Sequence, residues 1–214
     1  MTNGGYDERM SADTEPGVRE LKKRATLLAL HESAVDLISE RGYDAATVAD
    51  IATAAGVSPR TFFSYYPTKE AALYAPVSTL ARSLGAYLRA TADARDTFGA
   101  LRAWVDAELT RDEPASMRAI VVIESAAVGS DAVASFGLRL LNEITSAIAE
   151  SLATQLDTEA DDPVVAMTAS ALSAALGSIG PLAIHASVPA SKRAQYLELA
   201  LTFTQAGLAA VDLR

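Results

Sequence analysis

Side chains able to carry covalent or metal chemistry are few in this sequence. There is no cysteine, and the two histidines, His31 and His185, stand far apart. Thiol catalysis, iron–sulfur ligation and a zinc site built from paired imidazoles or thiolates are therefore disfavoured. No grouping of Ser, His and Asp stands out as nucleophile, base and orienter, so an enzyme is not expected and no cofactor is expected. What the sequence does concentrate is a run of hydrogen-bonding side chains, Ser58-Pro59-Arg60-Thr61-Phe62-Phe63-Ser64-Tyr65, followed shortly by Lys69. A guanidinium bonds two acceptors at once, and hydroxyls beside it suit phosphates or the edges of bases. That is the chemistry of recognition without bond making.

The elements that must hold those side chains are helices. Half the residues are hydrophobic but only 6% are aromatic, and Ala and Leu outnumber Val and Ile, which favours helix over sheet. From Leu27 the apolar positions Leu27, Leu30, Ala34, Leu37 and Ile38 keep to one helical face up to Gly42, which predicts a first helix preceded by a basic arm, Arg19 to Arg24. His31 is expected on its surface. Thr47 stands before Val48, with Asp50 three residues on as an acidic relative of the capping box, and Gly56 follows where a helix terminator belongs. A second helix is thus short and sharply ended. Ser58 caps a third, with Pro59 at the first helical position, which needs no amide donor. It stops before Pro67, and Thr68 caps a fourth that runs to about residue 93, either continuous or broken near Pro76. Further helices are read at about 97–110, 114–128, 131–156, 163–186 and 190–213, with no strand-like run between them. The fold class is all-α: a three-helix head at 19–75 and a larger helical region at 76–214, behind a leader over 1–18 that has no periodicity.

Two short helices joined by a Gly-Val turn have the pattern of a helix-turn-helix, in which the second helix is offered to the major groove. Ala52 is small where the helices cross, Gly56 permits a left-handed backbone, and Ile51, Val57 and Phe62 supply the core that fixes the crossing. The stretch from Arg24 to Leu73 resembles the N-terminal domain of the TetR family of bacterial transcriptional repressors. The resemblance runs through Gly42-Tyr43-Asp44, Thr47-Val48-Ala49-Asp50-Ile51-Ala52, Ala55-Gly56-Val57-Ser58 and Thr61-Phe62-Phe63-Ser64-Tyr65-Tyr66-Pro67-Thr68-Lys69-Glu70. It covers about a quarter of the chain.

The resemblance implies that the third helix is the recognition helix and that the protein binds a palindromic operator in double-stranded DNA as a homodimer, released by a small-molecule inducer. Arg60 is then the base-reading candidate, Thr61 and Ser64 serve phosphates or base edges, and Tyr65 and Lys69 match positions that grip the backbone. Phe63 departs from the tyrosine more usual there and loses a phosphate bond, leaving a ring for a thymine methyl. Ser58 and Thr47 stand at helix N-termini, where exposed amides favour phosphate; for Thr47 the plain cap is an equal reading. Arg24 closes the basic arm, which either reaches the minor groove or is solvated.

The net charge of −9 argues in general against nucleic acid, yet basic and acidic residues balance between 19 and 70, and most of the acid excess falls at 76–214. An acidic rear pointing away from the duplex is screened beyond about 8 Å at physiological salt. Residues 1–18 contain no apolar run of a signal peptide, and no membrane-length apolar run follows, so a cytoplasmic protein is expected.

In the rear region the segments 163–186 and 190–213 are rich in Ala, Ser and Gly, which lets helices approach closely. In the family the last two helices of each subunit form a four-helix dimer interface; an intramolecular hairpin is the other reading. Tyr87, Phe98, Trp104, Met117, Phe136 and Met167 supply bulk in the middle of the chain, either as the lining of an apolar inducer pocket with Arg118 or Glu124 as polar contacts, or as ordinary core. Gly177 to Pro181 offers a bend in the penultimate helix. A helical protein–protein adaptor with an unused head is the alternative function, and activation instead of repression fits the same residues.

Overall fold

The computed structural model describes residues 17–108, 114–179 and 188–211, and among them it is built of helices without a strand. The expected all-α architecture is what forms.

Helix α1, Val18–Arg41, begins nine residues earlier than the apolar periodicity suggests. The expected basic arm is therefore corrected: Arg19 to Arg24 are the first turns of a long helix. No Gly or Pro interrupts residues 18–41, Glu20 lies in the first turn where an acid suits the helix dipole, and its carboxylate is 3.5 Å from Arg24 one turn on. The buried face of α1 carries Leu30, Ala34, Val35, Leu37, Ile38 and also His31, which corrects the surface placement expected for the histidine. Gly42 ends the helix at φ 81°, a backbone that favours glycine.

Helices α2 (Val48–Ala54), α3 (Pro59–Tyr65) and α4 (Lys69–Leu73) follow, each begun by a side-chain cap. The Thr47 hydroxyl accepts from the Asp50 amide at 3.1 Å while the Asp50 carboxylate accepts from the Thr47 amide, so the acidic capping box closes. Ser58 accepts from the Thr61 amide at 3.1 Å, and Thr68 from the Ala71 amide at 3.2 Å. The turn between α2 and α3 uses Gly56 at φ 70°, and the Val57 amide bonds back to Ala52. Ile51, Ala52 and Phe62 are fully buried in that crossing.

The fourth helix is two. Backbone at Tyr74 turns out of helix (φ −85°, ψ 10°), and α5 restarts at Ala75–Ala90 with Pro76 in its first turn, the place where a missing amide is tolerated. The Tyr74 hydroxyl donates to the Val133 carbonyl at 3.0 Å, its ring tilts against Phe136 at 5.1 Å, and a Cβ on Gly137 would stand 2.7 Å from that hydroxyl. A short 3₁₀ turn, Ala92–Ala94, leads to α6 (Thr97–Glu108), α7 (Pro114–Gly129), α8 (Asp131–Leu156), α9 (Pro163–Gly177) and α10 (Ala190–Ala209). The bend expected around Gly180 and Pro181 lies outside the described residues.

Packing does not divide at residue 75. One buried cluster joins Leu30, Ile38, Ile51, Phe62 and Leu73 of the head to Ala119, Val122 and Ile123 of α7 and Val133 and Leu140 of α8. A second cluster joins Leu84 and Leu88 of α5 to Phe98, Leu101 and Trp104 of α6, Ile148 and Leu152 of α8, Val165 and Leu172 of α9 and Leu197, Leu201 and Leu208 of α10. Helix α8 thus belongs to both cores, and it ties the head to the rear.

Candidate nucleic-acid interface

The seven residues of α3 divide cleanly between two faces. Phe62 is fully buried, Tyr65 and Tyr66 pack partly against the head core, and the Tyr66 hydroxyl donates to the Leu27 carbonyl of α1 at 3.2 Å. Burial raises the Tyr66 phenol to about 12. On the opposite face Pro59, Arg60, Phe63 and Ser64 are exposed, with Phe63 at 57% and its ring edge-on to Phe62. Arg60, Phe63 and Ser64 follow the spacing of one helical face, so the anchoring of Phe62 aims all three outward together. The Ser64 hydroxyl returns to the Arg60 carbonyl at 3.2 Å, and the Ser58 and Thr61 hydroxyls bond each other at 2.8 Å above the first turn. Thr61 is half-buried there, so its hydroxyl serves the cap.

Thr47 presents an exposed side chain at the start of α2, engaged with Asp50, whose carboxyl is held below its ordinary value chiefly by hydrogen bonds from Thr47. Arg24 is exposed on α1 and paired with Glu20. Lys69 is placed differently from the expectation of a phosphate grip. Its ammonium donates to the carbonyls of Tyr43 and of Ala46, the latter at 2.9 Å, and lies 3.8 Å from the centre of the Tyr43 ring. Burial lowers its pKa, with Asp44 opposing that fall. The Tyr43 hydroxyl in turn donates to Glu70. Lys69 and Glu70 therefore clasp the loop between α1 and α2, a role invisible in the spacing because its partners include main-chain carbonyls.

The bulky residues expected around an inducer do not converge. Phe98, Trp104 and Tyr87 belong to the rear core, Phe136 packs on Tyr74 in the core shared with the head, and Met167 is 75% exposed on α9. Met167 is therefore corrected as a pocket residue, because its side chain lies open to solvent rather than against the cleft. Arg118 is corrected too: its guanidinium pairs with Asp36 of α1 on the surface. The side chain of Met117 lies outside the described residues. A cleft of about 2250 Å³ does open between the head and the rear helices, and of the expected residues Trp104 and Glu124 line it. Its other walls include His31, Tyr66, Tyr74, Leu84, Ile123 and Ile144, none of which the sequence singled out as ligand contacts.

A capped α2, a glycine turn and a recognition-type α3 with one anchored and one open face define a helix-turn-helix protein. Residues 30–74 match the model of the bacterial regulatory proteins of the tetR family. Over 70 residues the chain is 39% identical to the HTH-type transcriptional regulator TcmR of Streptomyces glaucescens, a match spanning 33% of this chain and 31% of that protein. Among solved structures, a SmeT–triclosan complex is 18% identical, with 86% of this chain and 91% of that chain covered at a TM-score of 0.62. Thermus thermophilus FadR, a TetR-family transcriptional repressor solved with lauroyl-CoA, is 23% identical, with coverage of 87% and 96% and a TM-score of 0.55. The head over residues 30–74 thus matches the tetR family's DNA-binding model, and the chain as a whole shares the fold of these solved structures. Among the described residues no helix is long and apolar enough to cross a membrane.

Proposed function

We propose that this chain is a cytoplasmic DNA-binding transcriptional regulator, a homodimer that sits on a palindromic operator and is released by a small apolar or amphipathic ligand. The observation that carries the reading is the open face of α3, where Arg60, Phe63 and Ser64 stand exposed on a helix fixed by the buried Phe62. In this reading residues 19–75 bind DNA, residues 76–214 dimerise, and the ligand occupies the cleft that both line. Arg60 reads a base or clamps a phosphate, Phe63 meets a thymine methyl, and Thr47, Ser58, Ser64 and Tyr65 set the register on the backbone.

A seven-residue helix reads few base pairs, so two copies related by symmetry are needed. Leu199 at 67% and Phe203 at 80% exposure on α10, with Met167 at 75% on α9, leave an apolar face that a second copy would cover. The triclosan and lauroyl-CoA held by two structural neighbours support an apolar or amphipathic ligand for the cleft. Such a ligand must bind one conformer better than the other, because equal affinity shifts nothing.

The test is a fluorescence-anisotropy titration of the intact protein against DNA flanking its own gene, beside a scrambled duplex, at two salt concentrations. Selective binding by two subunits, with a log–log salt slope of roughly −0.9 per phosphate contacted, is expected. Arg60→Ala should cost about 1–3 kcal/mol of operator affinity. Dimerisation without selective DNA binding, on operators drawn from a genome-wide selection as well, would favour the adaptor.

A further inference from the structure

The strongest unassigned group in the molecule is His31. It is 5% exposed, and its Nδ1 lies 2.8 Å from the Ala72 carbonyl at the end of α4. Had the helix run on, that carbonyl would have taken an amide hydrogen from residue 76, but Pro76 has none. His31 supplies the missing donor. A carbonyl only accepts, so Nδ1 carries the proton, and in the neutral ring Nε2 is left as a lone pair. Among the described residues nothing bonds Nε2, and no fully enclosed side-chain nitrogen or oxygen lacks a partner. Nε2 therefore keeps an opening, and the space that His31 lines is the cleft.

The surrounding wall has donors already committed. Tyr66 donates to Leu27, Tyr74 to Val133, and the Trp104 indole to Ser83 at 3.1 Å. Six basic and three acidic side chains line the cleft, Arg24 among them already paired with Glu20. Among neutral ligands, the group that discriminates is the acceptor at His31. Resting on the cleft as the ligand site, we propose that His31 is a specificity-determining residue, whose Nε2 accepts a hydrogen bond from the neutral hydroxyl of a ligand with an apolar body. Its other nitrogen holds the α4–α5 break, so the contact that selects the ligand is one ring away from the joint between head and rear.

The probes are 1-decanol and its methyl ether, which differ by the one donor, titrated into the full chain without DNA and followed by emission of Trp104, the single tryptophan. The alcohol is expected to bind about five- to tenfold tighter than the ether, the worth of one net hydrogen bond. His31→Asn keeps a donor at the Nδ1 position and removes the Nε2 acceptor, and should abolish the preference. His31→Gln keeps an acceptor at the Nε2 position but loses the bond to Ala72, and should retain the preference with a lower melting temperature. Equal binding of the two probes, binding of neither, or a preference that survives in the Asn variant would overturn the proposal; if the Asn variant fails to fold, loss of the preference in the Gln variant does so. The operator titration is separate, so a chain that ignores DNA yet prefers the alcohol would sink the regulator reading and leave His31 standing.

Discussion

The head and the rear of this molecule are stabilised on different length scales. Helices α2, α3 and α4 are seven, seven and five residues long, and each starts on a hydroxyl that takes up an orphan amide. Helix α8 runs for 26 residues and its stability comes from the two cores that it joins. A helix under about 12 residues is marginal in water, so the short ones need both a cap and a buried anchor, whereas a long one tolerates the loss of either end. Each of these short helices is placed by a capping hydrogen bond together with one or two buried anchors, Ile51 and Ala52 in α2, Phe62 in α3 and Leu73 in α4. In the rear, position is set by area.

Substitutions separate the two regimes. Phe62→Ala removes a fully buried ring and should cost about 3–5 kcal/mol in urea denaturation, with the head lost first; a head that keeps its amide protection in this variant would break the contrast. Next comes alkaline pH. An unfolded tyrosine loses its proton near 10.0 and folded Tyr66 at about 12, so between those values the unfolded chain binds fewer protons and stability falls as pH rises. Tyr66→Phe should flatten that limb in melts recorded between pH 9 and 12. Thr47→Ala opens the capping box of α2 and should cost about 1 kcal/mol, read from the urea midpoint. Smallest in folding energy is Phe203→Asp, within about 0.5 kcal/mol because the ring is already exposed, yet sedimentation velocity should show dimer giving way to monomer.

Legibility in the sequence followed the same divide. Thr47, Ser58, Gly56, Pro59 and Phe62 could be assigned because caps, left-handed turns and N1 prolines act within four residues of themselves. The break at Tyr74 was open because a proline in the first turn of a new helix and a proline kinking an old one leave the same trace. The surface placement expected for His31 conflicts with the helical phase that it shares with Leu27, Ala34 and Ile38, which sets it among apolar neighbours. Arg118, Lys69 and Met167 were not legible, since each is decided by what lies opposite in space: Asp36 on α1, two loop carbonyls, and open surface. Periodicity gives the face of a helix but not its neighbour, and for that reason Phe98 and Phe136 could not be sorted into separate cores.

The brevity of α2, α3 and α4 has a kinetic consequence. None of them can persist alone, so a transient opening of any one must release the others and the Phe62 anchor with them. Their amides should then exchange with deuterium through a single shared opening, at one common free energy. The α3 surface would be present whole or absent whole, and a peptide spanning residues 58–66 would be a coil in water.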